Sequence, residues 1–215
     1  DDDALITNSG EIVGYDSSVV FVGGFANVLS NSGTLSSEQD AVVQAEGIDA
    51  RFTLKNSGTI TANGISATAI SLAGTEDIIN LVNTGLIETT TGRALSVSGI
   101  DNAVTLRNSG HIDGDIYLES GDHVIRSQTG TIDGTITLFE DGASKLFLGD
   151  EDNLVNDFAS GFDRASGDEG TDVTSPSAAG GDRFDLGGGV DMGRAYVTQT
   201  RLQQACDAGV LAARK

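Results

Sequence analysis

The 215-residue chain carries 32 acidic and 12 basic residues, a formal net charge of −20, with 29 glycines, one proline and no tryptophan. That charge excludes nucleic acid as a partner, because phosphates would be repelled, and excludes simple adsorption to anionic lipid; it favours solubility and divalent cations. No stretch approaches the roughly 18 apolar residues of a membrane span, and the single Cys206 excludes an internal disulfide.

The chain opens at Asp1 without an initiator methionine, so it reads as processed or as a fragment. One phrase then recurs: an aliphatic residue, any residue, Asn, Ser or Thr, Gly, any residue, Ile or Leu. It is spelled at 6–12, 29–35, 54–60, 81–87 and 106–112, with an imperfect copy at 126–132. The turn glycines Gly10, Gly33, Gly58, Gly85, Gly110 and Gly130 stand 23, 25, 27, 25 and 20 residues apart. Before each Asn, apolar residues alternate with period two, the mark of a strand with one buried face. A further strand follows in each repeat: Val19 to Val22, then Ala41 to Val43, Ala69 to Leu72, Ala94 to Val97, Ile116 to Leu118 and Ile136 to Leu138.

One such unit cannot bury its apolar face alone, whereas stacked copies bury it in a continuous column. A strand pairing with its own copy about 25 residues later, in the same direction, makes a parallel sheet. The pattern predicts an all-β fold, a right-handed parallel β-helix of about six coils and roughly 30 Å length. Asn8, Asn31, Asn56, Asn83 and Asn108 are placed to bond one to the next as a ladder along the axis. The glycine after each is read as relieving a positive φ at a sharp corner. In the sixth copy Gln128 stands where Asn is expected, and Val124, Ile125 and Arg126 leave the alternation, which predicts a bulge or a wider turn.

Three segments follow: a β-helix over 1–158, a Gly/Ser/Asp-rich loop or linker over 159–190, and a helix over 191–215 able to cap or dock. The repeated Asn-Ser-Gly phrases, followed by Asp113-Gly114-Asp115-Ile116 and Asp133-Gly134-Thr135-Ile136, resemble the passenger regions of bacterial autotransporters and related secreted β-helix adhesins. The resemblance spans about residues 4–142 and implies secretion from a Gram-negative cell. Residues 148–154 and 180–186 resemble degraded RTX nonapeptides, which implies calcium at Asp150, Asp152, Asp182 and Asp185; the inner glycine of that pattern is missing from both.

Three positions after the turn glycines come Val13, Ser36, Thr61, Glu88, Asp113 and Asp133. Stacking sets the last three about 5 Å apart, a calcium or acidic-ligand column in the functional reading and a solvated charge column in the simpler one. Asp115 and Asp122 are close in sequence. Lys55 and Arg107 share a column with Val82 between them, Arg93 and Arg126 are scattered, and no aromatic platform for sugar rings is visible. His111 and His123 read as surface turn residues, and no nucleophile elbow, phosphate loop or zinc spacing occurs. The leading expectation is a non-enzymatic, secreted or surface-exposed structural protein, adhesin-like, self-associating end to end into an oligomer or filament and meeting glycans or cell surfaces. The alternatives are a polysaccharide lyase or hydrolase, and a calcium-binding module.

Overall fold

The computed structural model describes residues 3–48, 51–139 and 144–149, with the backbone of four further strands at 154–157, 164–166, 173–175 and 183–185. The first coil contains β1 (Leu5–Asn8), β2 (Glu11–Gly14) and β3 (Val19–Val22), and the second β4 (Ala26–Asn31), β5 (Thr34–Ser37) and β6 (Val43–Ile48). The third has β7 (Arg51–Asn56), β8 (Thr59–Ala62) and β9 (Ile70–Thr75). Then come β10 (Ile78–Asn83) with the long β11 (Leu86–Ile100), and β12 (Ala103–Asn108) with β13 (His111–Leu118). β14 (Val124–Ser127), β15 (Thr131–Asp133) and β16 (Thr135–Leu138) form the next coil. β17 (Lys145–Leu148), β18 (Leu154–Asp157), β19 (Arg164–Ser166), β20 (Val173–Ser175) and β21 (Arg183–Asp185) continue the stack.

Every pairing among the described strands is parallel. One wall stacks in the order β1-β4-β7-β10-β12-β14-β17-β19-β21, and from β1 to β14 the chain makes about five turns. The second sheet stacks β2-β5-β8-β11-β13-β16-β18-β20, with β3, β6, β9 and β15 joined to it. The protein is a parallel β-solenoid, as the repeat spacing predicts, and no helix occurs among the described residues. β19, β20 and β21 lie within the stretch read as loop or linker and extend both walls. The helix expected over 191–215 falls outside the described residues.

Period-two patterning builds the core. Leu29, Leu54, Leu81, Leu106, Ile125 and Leu146 stack in register and are buried. Leu35, Ile60, Ile87, Ile112 and Ile132 do the same on the second sheet. Each such side chain contributes about 1.5–3 kcal/mol by burial. In the first coil, which has no described neighbour on its outer side, the equivalent Ile6 and Ile12 are only partly buried. Where a larger side chain enters the stack, the fit is specific: the Phe21 and Phe52 rings meet edge to face, centroids 5.4 Å apart.

The asparagine ladder forms. Asn8 Nδ2 donates to Asn31 Oδ1 at 2.9 Å, Asn31 to Asn56 at 2.8 Å, Asn56 to Asn83 at 2.8 Å and Asn83 to Asn108 at 2.9 Å. All five asparagines are buried. Each interior Nδ2 also donates to the carbonyl of its own turn glycine and to a carbonyl of the following coil, as Asn56 does to Gly58 and Leu86. The ladder thus satisfies polar groups that would otherwise be buried unpaired.

Two expectations about this turn are corrected. None of the turn glycines has a positive φ; among the described glycines that conformation belongs to Gly23, Gly24, Gly99, Gly114 and Gly121. Glycine is needed at the turn because coils stack there backbone on backbone. A Cβ on Gly33, Gly58, Gly85 or Gly110 would stand 1.9–2.1 Å from the carbonyl oxygen of the preceding turn glycine. In the sixth coil it is Ser127, not Gln128, that lies under Asn108: Arg107 pairs with Arg126, and Asn108 Nδ2 donates to Ser127 Oγ at 2.9 Å. With Ser127 in that place, Val124, Ile125 and Arg126 keep the alternation, and the extra residue widens the turn before Gly130. A one-residue change of register inverts every side chain of a strand, so this correction reassigns the whole of β14.

Candidate functional site

The outer positions of the second sheet hold the acidic column. Register pairs Val13 with Ser36, Ser36 with Thr61, Thr61 with Glu88, Glu88 with Asp113, and Asp113 with Asp133. Glu88 is half-buried, and Asp113 and Asp133 are exposed. Thr61 Oγ1 donates to Glu88 Oε1 at 2.8 Å, so hydroxyl and carboxylate are paired where the column changes character. Asp133 Oδ2 lies 3.7 Å from His111 Nε2, and His111 Nδ1 contacts Thr131 Oγ1.

The corner beside this column narrows along the axis. Between Glu88 and Arg93 the chain takes four residues, 89–92, whereas Gly114 alone joins Asp113 to Asp115. Gly114 adopts φ +131°, and a Cβ there would come within 2.3 Å of Thr89 Cγ2. That glycine brings Asp115 under Arg93. Asp115 Oδ1 accepts from the Thr135 backbone N–H at 2.8 Å, which makes it a backbone anchor as well as a surface charge. Asp122 is exposed. Among the described residues no group of three or more His, Cys, Asp or Glu side chains is disposed to hold a metal ion.

Next to the carboxylates stands a cluster that the sequence reading missed. The Arg93 guanidinium lies 3.8 Å from the Tyr117 ring centroid, and Tyr117 and Phe139 centroids are 5.3 Å apart. Arg93 is therefore not scattered, and an aromatic pair does stand on the outer face. The signal was available: Asp113, Asp115 and Tyr117 alternate on one face of β13, and Tyr117 stacks in register on Ser96 and Thr137.

His123 is corrected from a surface turn residue to a core one. It is 2% exposed. Its ring contacts the Glu119 carbonyl oxygen through Nε2 at 2.6 Å, while Nδ1 has no hydrogen-bond partner. Burial holds its pKa below 6.5, against the opposing pull of the Glu119 carbonyl and the Asp122 charge. Counting inward by twos from Ser127 through Ile125 reaches His123. Taking Gln128 as the ladder residue hid it.

The first wall has the opposite electrostatic character. Its strands carry Arg51, Lys55, Arg107, Arg126, Lys145, Arg164 and Arg183 against one carboxylate, Asp185. The strands of the second sheet carry Glu11, Glu46, Glu88, Asp113, Asp115, Asp133 and Asp157 against one cation, Arg93. Arg107 and Arg126 share the column of Lys55 and Val82, so Arg126 is not scattered either. It lies 4.9 Å from the Phe147 ring centroid. Lys145, Arg164 and Arg183 form an adjacent column by register.

A small cavity of about 10 Å³ lies between the walls, lined by Leu54, Ile70, Leu81, Leu95 and other core residues; it is a packing void. Asp150, Asp152 and Asp182 fall outside the described residues, and Asp185 is placed only as backbone opposite Ser166.

Fold and surface together define a parallel β-solenoid with charge divided between its outer faces. A family model described as "Putative Flp pilus-assembly TadE/G-like" matches residues 186–215, beyond the last described strand. No curated protein matches the chain, and no solved structure matches it.

Proposed function

We propose that this chain is a structural column of the bacterial cell surface or extracellular space, adhesin-like and self-associating. The observation that carries this reading is the parallel register maintained coil after coil, pinned by the buried asparagine ladder. Such a stack resists bending and presents long, regular outer faces to a partner. The match of residues 186–215 to a pilus-assembly family model supports a role among surface assemblies. The passenger-like repeats over 4–142 support secretion from a Gram-negative cell. Sedimentation of the whole chain, with and without calcium, together with binding to intact cells and glycan arrays, tests it. Association or surface binding is expected; a strict monomer in both conditions that binds neither cells nor glycans contradicts it.

A second reading has its own observation. Glu88, Asp113 and Asp133 lie on the sheet that also carries Arg93 stacked on Tyr117, beside Phe139. Carboxylates, a guanidinium and aromatic rings are the groups a polysaccharide lyase or hydrolase uses. Release of unsaturated or reducing ends from acidic glycans, lost in Glu88→Ala or Asp113→Ala, would establish it; no product from any acidic glycan would remove it.

A further inference from the structure

We infer that the cationic first wall is a lateral docking face for the acidic second sheet of another copy of this chain. The inference rests on the self-associating reading and names its contact. In a chain of net charge −20, an outer wall whose strands hold cations and almost no carboxylate is not a by-product of composition. Arg51, Lys55, Arg107, Arg126 and Lys145 are all exposed, and no ion pair to any of them forms among the described residues. Arg107 pairs with Arg126 in register, so two exposed cations are carried on backbone positions about 5 Å apart. That arrangement is unfavourable until opposite charge is brought to it.

The occupant is indicated by pitch as well as by sign. Glu88, Asp113 and Asp133 repeat once per coil, and from β12 onward so do the cations of the first wall, Arg107 and Arg126 in one column and Lys145, Arg164 and Arg183 in the next. Both spacings are fixed by the same parallel-strand distance of about 4.8 Å. A second copy aligned along the same axis therefore meets Arg107 and Arg126 with carboxylates at matching intervals. The contact joins two different faces, so it is heterologous and propagates sideways into an open array.

The test is sedimentation velocity of the whole chain. At about 0.1 M salt the long-range repulsion between acidic copies is screened beyond about 10 Å while contact pairs still act, and at about 1 M these too are screened. Association is expected at the lower salt, weakened at least about tenfold at the higher. Arg107→Glu/Arg126→Glu alone and Asp113→Lys/Asp133→Lys alone should each be monomeric at the lower salt. Their equimolar mixture, in which each altered face again meets opposite charge, should associate. Three results would overturn the inference. One is a monomeric wild type at the lower salt. Another is Arg107→Glu/Arg126→Glu associating as well as wild type, which leaves end-to-end self-association standing and removes the lateral contact. The third is a monomer that binds polygalacturonate through the first wall, which assigns that wall to an anionic polymer instead.

Discussion

Substituting alanine at Gly58 and at Gly10 makes the same chemical change in two copies of one phrase, and the stacked geometry demands opposite outcomes. A Cβ on Gly58 would stand 2.0 Å from Gly33 O, 2.7 Å from Ser32 C and 2.8 Å from Gly33 N. Relief requires the third coil to move more than an ångström away from the second. Across that gap the contested oxygen, Gly33 O, accepts from the Thr59 backbone N–H at 2.9 Å, and Thr59 O accepts from Asn31 Nδ2 at 3.1 Å. Overpacking costs about 1–3 kcal/mol, and weakening those two bonds adds about 0.5–1.5 kcal/mol each. The alanine's smaller unfolded-state entropy returns about 0.4–1 kcal/mol. The expected net loss is about 3 kcal/mol. At Gly10 a Cβ would meet nothing within 4 Å, and φ is not positive, so Gly10→Ala should be neutral or slightly stabilising. Urea unfolding followed by circular dichroism measures both, with the slope held as a check on cooperativity. Equal shifts for the two variants, or a larger loss at Gly10, would refute backbone stacking as the reason for the glycine.

Asn56→Ala breaks the ladder on both sides, removing one acceptor of Asn31 Nδ2 and the ladder donor to Asn83 Oδ1; two lost buried bonds predict a loss of about 1–3 kcal/mol in the same urea assay. Asn56→Asp should not rescue it, because the carboxylate cannot donate to Asn83 and is buried as a charge. The His123 imidazole has its folded pKa held below 6.5, so the unfolded chain binds the proton first. The stability it contributes is full above the unfolded value near 6.5, falls as pH drops from there, and is spent once the lowered folded value is passed. Unfolding free energy measured from pH 7.5 to pH 5 should therefore decline, and His123→Leu should flatten the upper part of that decline; an unchanged slope would contradict burial of a neutral ring. Gly114→Ala, which meets both a positive φ and Thr89 Cγ2 at 2.3 Å, should destabilise the corner by about 1–3 kcal/mol, read as the shift in thermal midpoint; no shift would mean the corner is not closed around Gly114.

What was legible in the sequence was whatever repeats. The Asn ladder, the parallel register and the alignment of Glu88 with Asp113 and Asp133 follow from spacing alone, because each coil must bury the face of the one before. Two kinds of feature escaped. One depends on a single insertion: the extra residue between Ser127 and Gly130 makes Gln128 look like the ladder position, which hides His123 in the core and detaches Arg126 from Arg107. The other depends on how corners fold. Arg93, Tyr117 and Phe139 are spread over 47 residues of sequence and meet only because Gly114 shortens the turn between Asp113 and Asp115. The reason for the turn glycine was also misplaced, since a contact between coils imitates a conformational requirement in a single one. The division of charge between walls was present in the sequence throughout, and becomes visible once strands are sorted by sheet rather than by order.

In-register stacking is tested most directly by hydrogen exchange at the side-chain carboxamides of Asn31, Asn56 and Asn83, followed by NMR. Each Nδ2 is held by three acceptors in its own and the next coil. The ladder predicts that these three exchange far more slowly than Asn63, which is exposed and outside it, and show cross-peaks to the following coil. Exchange at the rate of a free asparagine amide at all three would contradict the stacked column itself.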